Sequence, residues 1–213
     1  MILLAIDTSA NLCAACVYDA GGERGRAVLD LGKGHAEHLM GVMEAALAEA
    51  GTAYGDLDAI AVAVGPGSFT GVRVGVATAR GLALALKVPA VGVTTLEAIA
   101  EESRIASPGK PIIARIDGGR GQAYLAGFAA DGTQTLAPVA LATDEADALI
   151  KDAGADTLLA EGKTADIVTY ARIGMQRVMR DPGAPALPPR PLYLRDADAK
   201  PQGAFALPRK GAS

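Results

Sequence analysis

Apolar and polar positions recur along the chain in blocks that predict a strand meander followed by alternating helices and strands. Leu3–Ile6, Leu12–Tyr18 and Arg26–Leu31 read as three strands, joined by turns at residues 7–11 and 19–23 that are rich in Asp, Asn and Gly. From His35 to Ala50 the apolar residues fall at Ala36, Leu39, Met40, Met43, Ala46, Leu47 and Ala50, the spacing of one helix face, and Gly51 ends the run. A strand over Ala59–Val64, a glycine-rich turn, a helix over Val72–Leu86, a strand over Ala90–Val93 and a helix over Thr95–Glu102 complete a βββαβαβα order. Beyond Ser107-Pro-Gly-Lys-Pro111 the plan repeats in miniature. Strands are expected over Ile112–Ile116, Ala123–Phe128, Thr135–Ala140 and Thr157–Ala160, with helices over Asp144–Ala153 and Ala165–Met179. Residues 1–105 are therefore expected to form one α/β lobe and 106–181 a smaller one. In residues 182–213 the prolines Pro182, Pro185, Pro188, Pro189 and Pro191 exclude regular helix and predict an extended tail.

Composition narrows the class. The chain has 213 residues, half of them hydrophobic, enough for a sizeable core. A net charge of -4 and a pI near 5.2 argue against gripping a nucleic-acid backbone unaided, because phosphate neutralisation needs clustered Lys and Arg. Met1–Ile6 is too short for a signal peptide and lacks a basic start, and no apolar run reaches membrane-spanning length, so a cytoplasmic protein is expected. Cys13 and Cys16 form a CxxC, but on a strand residues three apart face opposite ways, so they read as small buried hydrophobes.

The least generic stretch is Gly65-Pro-Gly-Ser-Phe-Thr-Gly71-Val-Arg73, between a strand and a helix. It lacks the lysine of a P-loop, and Gly65, Gly67, Gly71 is one residue too long for a dinucleotide fingerprint. Two readings stay open: a helix N-terminus that holds an anion, with Asp7, Thr8, Ser9, Gly65, Gly67 and Ser68 in the phosphate vicinity, or a tight connection packed on its own lobe. His35 and His38 are the two histidines, and two ligands make a poor metal site without a third. Ser68 lacks the G-x-S-x-G elbow of a nucleophile. Gly71, Gly75, Ala79 and Ala83 recur every four residues and predict a flat helix face for another helix, to which Met40, Met43 and Leu47 of the preceding helix add adaptable apolar contacts. The alternative is that both helices simply cover their own sheet.

Five stretches in order carry a family resemblance: Leu4-Ala-Ile-Asp-Thr-Ser9, Gly34-His-Ala-Glu-His-Leu39, Gly65 through Gly75, Gly92-Val-Thr-Thr-Leu-Glu97 and Pro191-Leu-Tyr-Leu-Arg195. With them the chain resembles the TsaB (YeaZ) family, which acts in forming N6-threonylcarbamoyladenosine (t6A) in tRNA. The resemblance implies the two-lobed actin/sugar kinase/Hsp70-like (ASKHA) fold. It also implies a non-catalytic, degenerate paralogue of TsaD that pairs with TsaD, joins TsaE in a larger complex, forms a homodimer when alone and meets tRNA through the complex. No cofactor of its own is implied, with ATP and Mg at the assembled complex. The His-xxx-His metal pair of TsaD-type enzymes is absent, and Asp7 is followed by Thr8-Ser9 rather than by glycines. In the second-lobe turn Asp117-Gly-Gly-Arg120 stands where the family usually has Asp-Ala-Arg. A degenerate peptidase- or ATPase-like enzyme and a binding module for another protein are the alternatives.

Overall fold

Leu3 to Asp7 are buried on both faces, and this places β1 (Leu3–Asp7) in the middle of a five-stranded sheet. The computed structural model describes residues 1–180 and 187–194. Across the sheet run β3 (Gly22–Asp30), β2 (Leu12–Asp19), β1, β4 (Ala59–Ala63) and β5 (Ala90–Val93). The first three are antiparallel, with Leu3 opposite Tyr18, whereas β4 and β5 continue the sheet in parallel, with Leu3 beside Ala59 and Ile60 beside Ala90. Parallel neighbours need a crossover. α1 (His35–Glu49) and a short 3-10 turn at Tyr54–Asp56 lead into β4, and α2 (Phe69–Leu86) joins β4 to β5.

The second sheet repeats this plan one strand short, in the order β8 (Gln134–Ala142), β7 (Gln122–Phe128), β6 (Ile112–Gly119), β9 (Leu158–Glu161). β6 is antiparallel to β7 and parallel to β9. The remaining helices are α3 (Thr95–Ala106), α4 (Thr143–Asp152) and α5 (Ile167–Arg180). The fold is the two-lobed α/β architecture of mixed sheets that the sequence predicts, and the differences lie at element ends. α2 starts three residues before Val72 because Ser68 Oγ accepts a hydrogen bond from the Gly71 N–H at 3.2 Å and caps the helix.

Packing ties the lobes together. α1 and α2 cover one face of the first sheet, over Leu4, Ile6, Cys13, Val17, Ile60 and Val62. The opposite face is covered not by α3 but by α5, which packs on β1, β2, β4 and β5, while α3 packs on β6, β7 and β9 of the second sheet. The two lobes thus exchange their last helices. One apolar core runs through the exchange, from Leu3, Ala5 and Ala61 through Tyr170 and Ile173 to Ile112, Ala114 and Phe128. At Gly174 α5 comes so close to β4 that a Cβ there would overlap the Ala61 methyl group. α4 closes the outer face of the second sheet over Ile113, Ala123 and Leu125.

Cys13 and Cys16 are free thiols in the two different cores on either side of β2. Burial pushes them up to about 11 and about 12, so they act as apolar fill rather than nucleophiles. One expectation is corrected. α2 is long and apolar enough to cross a membrane by length and composition, with Arg73 and Arg80 as its only charged residues, although it lies against the first sheet. Residues 181–186 and 195–213 of the expected tail lie outside the described residues. Residues 187–194 carry neither helix nor strand, and Leu192 docks on the first lobe, its N–H donating to the Val64 carbonyl at 2.8 Å.

Candidate functional site

The glycine loop and the β1–β2 turn meet, as the anion-site reading of the sequence expected, but they are pressed onto each other. The Ser68 N–H donates to the Ser9 carbonyl at 2.6 Å, Thr8 Oγ1 donates to the Gly71 carbonyl at 2.7 Å, and the Thr95 N–H donates to the Gly65 carbonyl at 2.8 Å. A Cβ on Gly67 would overlap the Ser9 carbonyl oxygen and one on Gly71 the Thr8 carbonyl oxygen, while one on Gly75 would stand 2.6 Å from Thr8 Oγ1. The spacing of Gly67, Gly71 and Gly75 therefore lays α2 directly on the turn. Gly65 has a different task, adopting φ 91°, a conformation that favours glycine.

Asp7 lies beneath this contact, 1% exposed. Its Oδ1 accepts from the Ser9 N–H at 2.7 Å and its Oδ2 from Thr164 Oγ1 at 2.5 Å. The Thr164 hydroxyl stands 2.8 Å from that of the fully buried Tyr170, and Thr95 Oγ1 donates to Ser9 Oγ at 3.4 Å. Burial holds the Asp7 carboxyl above its ordinary pKa, with the hydrogen bonds from Ser9 and Thr164 opposing. The Tyr170 phenol is also pushed up, chiefly by burial and further by the nearby Asp7 charge. Both oxygens of Asp7 are thus engaged within the protein, Thr8 and Ser9 are buried at 1%, and the glycines are filled by the chain's own backbone. These residues do not fit a metal-bound phosphate.

The six residues expected near phosphate are brought together, then, as a packed joint between β1, α2, α3 and α5. Thr164 and Tyr170 were missed by sequence reasoning. Thr164 lies 157 residues from Asp7, and neither residue belongs to a motif. His35 is buried at the start of α1, its Nε2 without a hydrogen-bond partner, while His38 is exposed. Among the described residues no group of three or more His, Cys, Asp or Glu could hold a metal ion. In the second lobe Asp117 Oδ1 accepts from the Gly119 N–H at 2.8 Å, and Arg120 takes a left-handed φ of 56° in the tight turn to β7.

The expected partner face needs correction. Gly71, Gly75 and Ala79 face inward, and so do Met43 and Leu47, because these positions form the inner stripes of α2 and α1. Ala83 is partly buried, and Met40, at 47%, is exposed as expected. The outward stripes are made by Met40, Gly41, Glu44 and Ala45 on α1 and by Phe69, Arg73, Ala77, Arg80, Gly81 and Leu84 on α2. Nothing lies within 4 Å of a Cβ built on Gly41 or Gly81. Leu84 is 82% exposed, and only 28% of the 18 residues of α2 are buried.

Comparison with known proteins agrees with this architecture. The family model "TsaD: tRNA N6-adenosine threonylcarbamoyltransferase" matches residues 30–179. The tRNA threonylcarbamoyladenosine biosynthesis protein TsaB of Escherichia coli is 34% identical over 131 residues, which cover 62% of this chain and 56% of that protein. An uncharacterized protein of Mycobacterium tuberculosis is 32% identical over 206 residues, covering 93% of this chain and 94% of its own length. Among solved structures, a Pseudomonas aeruginosa protein described as uncharacterized with similarity to peptidase YEAZ superposes with a TM-score of 0.79 at 26% identity, covering 91% of this chain and 99% of that one. The chain spans just over half the length of the first curated relatives it matches, 56% and 58%. With the TsaD family model matching residues 30–179 and a relative at 32% identity covering 93% of the chain, the chain belongs to the family that unites TsaD with its TsaB/YeaZ relatives.

Proposed function

We propose that this chain is a non-catalytic scaffold and activator that pairs with TsaD in the formation of N6-threonylcarbamoyladenosine in tRNA, with TsaE in the larger complex. The observation that carries the reading is the outer face of α1 and α2. A glycine inside a helix costs about 1 kcal/mol relative to alanine. Gly75 and Gly71 are explained by the contact with Thr8, but Gly41 and Gly81 have open space above them and no use within the fold. A second helical protein approaching closely gives them one. Exposed Met40 and Leu84 flank them and supply apolar area for the contact.

The closed joint at Asp7 supports the non-catalytic part. A nucleotide would have to displace Thr164 and Tyr170, so ATP and Mg belong at the assembled complex. Ser68 spends its hydroxyl on capping α2, which gives no support to a peptidase. The acidic net charge of -4 fits a protein that reaches tRNA through its partners, in the cytoplasm, and that pairs with itself over the same helices when TsaD is absent. Reconstitution tests the reading: unmodified tRNA with TsaC, TsaD, TsaE, threonine, bicarbonate and ATP, with and without this protein. Product that depends on its addition is expected, and equal product without it in a competent assay refutes the role.

A further inference from the structure

Arg73 sits in a setting that the fold alone does not explain. It is exposed on the outer stripe of α2, one turn from the helix start, with its guanidinium carbon 3.6 Å from the centre of the Phe69 ring and 5.3 Å from that of Tyr193. Its Nε donates to the Tyr193 hydroxyl at 2.7 Å, and the two rings lie 5.6 Å apart at 44°. Phe69 is 45% exposed and Tyr193 50% exposed, so the stack buries little for the protein itself. Among the described residues Arg73 has no acidic partner, and neither of its Nη atoms has a hydrogen bond. Arg73 and Tyr193 lie 120 residues apart in the chain, and Leu192 fixes the later segment through its bond to Val64 and its place on the apolar core.

We propose that the Phe69–Arg73–Tyr193 stack is the anchor of the partner surface and receives a carboxylate side chain of the partner protein. The inference rests on the TsaD pairing proposed above and names the chemistry of that contact. Two rings and one hydrogen bond hold the guanidinium plane before any partner arrives, so little side-chain freedom is lost when the Nη groups bind a planar, two-oxygen acceptor. Aromatic residues and arginine are also the side chains that concentrate binding energy at protein interfaces. A nucleic-acid phosphate is the competing anion. The net charge of -4 disfavours it, and beyond the stack the same exposed face carries Ala77, Gly81 and Leu84 beside the one further charge of Arg80, a mostly apolar surface that suits a protein.

The test is titration of TsaD with the full-length wild-type chain and with R73A, R73K and Y193A, at low and high salt, after thermal melts have shown the variants folded. R73A is expected to weaken TsaD binding about tenfold or more and to flatten its salt dependence. R73K, which keeps the charge without the planar fork, is expected to recover part of the affinity, and Y193A to lose affinity with Arg73 intact. Wild-type binding with unchanged affinity in R73A overturns the inference alone, and full recovery by R73K or an unaffected Y193A overturns the stacked anchor. If R73A leaves TsaD affinity intact and weakens tRNA binding by the assembled complex, the arginine serves a phosphate and the proposal fails. Absence of any binding by the wild-type chain overturns the pairing together with the inference.

Discussion

Gly75 and Gly81 lie on the same helix, and a side chain on each meets opposite surroundings. At Gly75 a Cβ would stand 2.6 Å from Thr8 Oγ1 and 3.4 Å from a Val62 methyl, so G75L must push α2 off the sheet. A loss of about 1–3 kcal/mol is expected for such overpacking, read from urea unfolding. Asp7 sets a second residue-level expectation, in pH. Its folded pKa lies above the ordinary 3.8, so the fold binds the proton more tightly than the unfolded chain does. Its burial penalty is absent below that ordinary value, grows as pH rises through it, and levels off once Asp7 ionises in the fold. D7N removes the titration and can still accept from the Ser9 N–H, so its stability relative to wild type is expected to rise with pH; equilibrium unfolding between pH 4 and pH 8 checks this. At this scale the sequence was legible in part. It showed that Gly71 and Gly75 demand close contact, but the contact is made with the Thr8 turn, because four-residue spacing gives the periodicity of a face and not the direction in which it points. Tyr170 and Thr164 could not be found, since their role depends on a packing that brings distant segments together.

The strands and helices were the legible level. The short apolar runs at Leu3–Ile6 and Leu12–Tyr18 and the apolar spacing from His35 to Ala50 are local signals, and the elements they predict form with shifts of a few residues at the ends. The shift at α2 is instructive, because Ser68 was weighed as a nucleophile and acts as the cap that starts the helix at Phe69. What the pattern did not separate is which stripe of α1 and α2 is free. The structure resolves this, and it yields a test of the helix pair. Open space above Gly41 and Gly81 means that G41R and G81R should fold with stability equal to or better than wild type, since an exposed helical glycine is being replaced. Both are expected to block pairing with TsaD in gel filtration and to abolish dependent t6A formation. Normal pairing by both variants would move the partner to another face.

For the molecule as a whole, the exchange of α3 and α5 outweighs the division into lobes. Each sheet is finished by a helix that the chain places beside the other sheet, and one core joins them. Melting should therefore be a single cooperative step. Hydrogen exchange of β1 and β6 is expected to show the same global opening, and two separate transitions would contradict the shared core. The sequence displayed the duplication clearly, yet nothing in a linear pattern records the crossing. Arg26 to Asp166, at 3.0 Å, and Arg177 to Glu97, at 2.5 Å, are ties between segments 140 and 80 residues apart.

The crossing also gives synthesis an order. The inner face of the first sheet, with Leu3, Ala5 and Ala61, waits for a helix that begins at Ile167, so a ribosome must make over a hundred further residues after β4 while that face stays bare. During translation the emerging chain is thus a half-covered, adhesive sheet. It becomes inert only when α5 leaves the exit tunnel, which makes the late segment a natural point for chaperone engagement and makes chains cut short before Ile167 prone to aggregate.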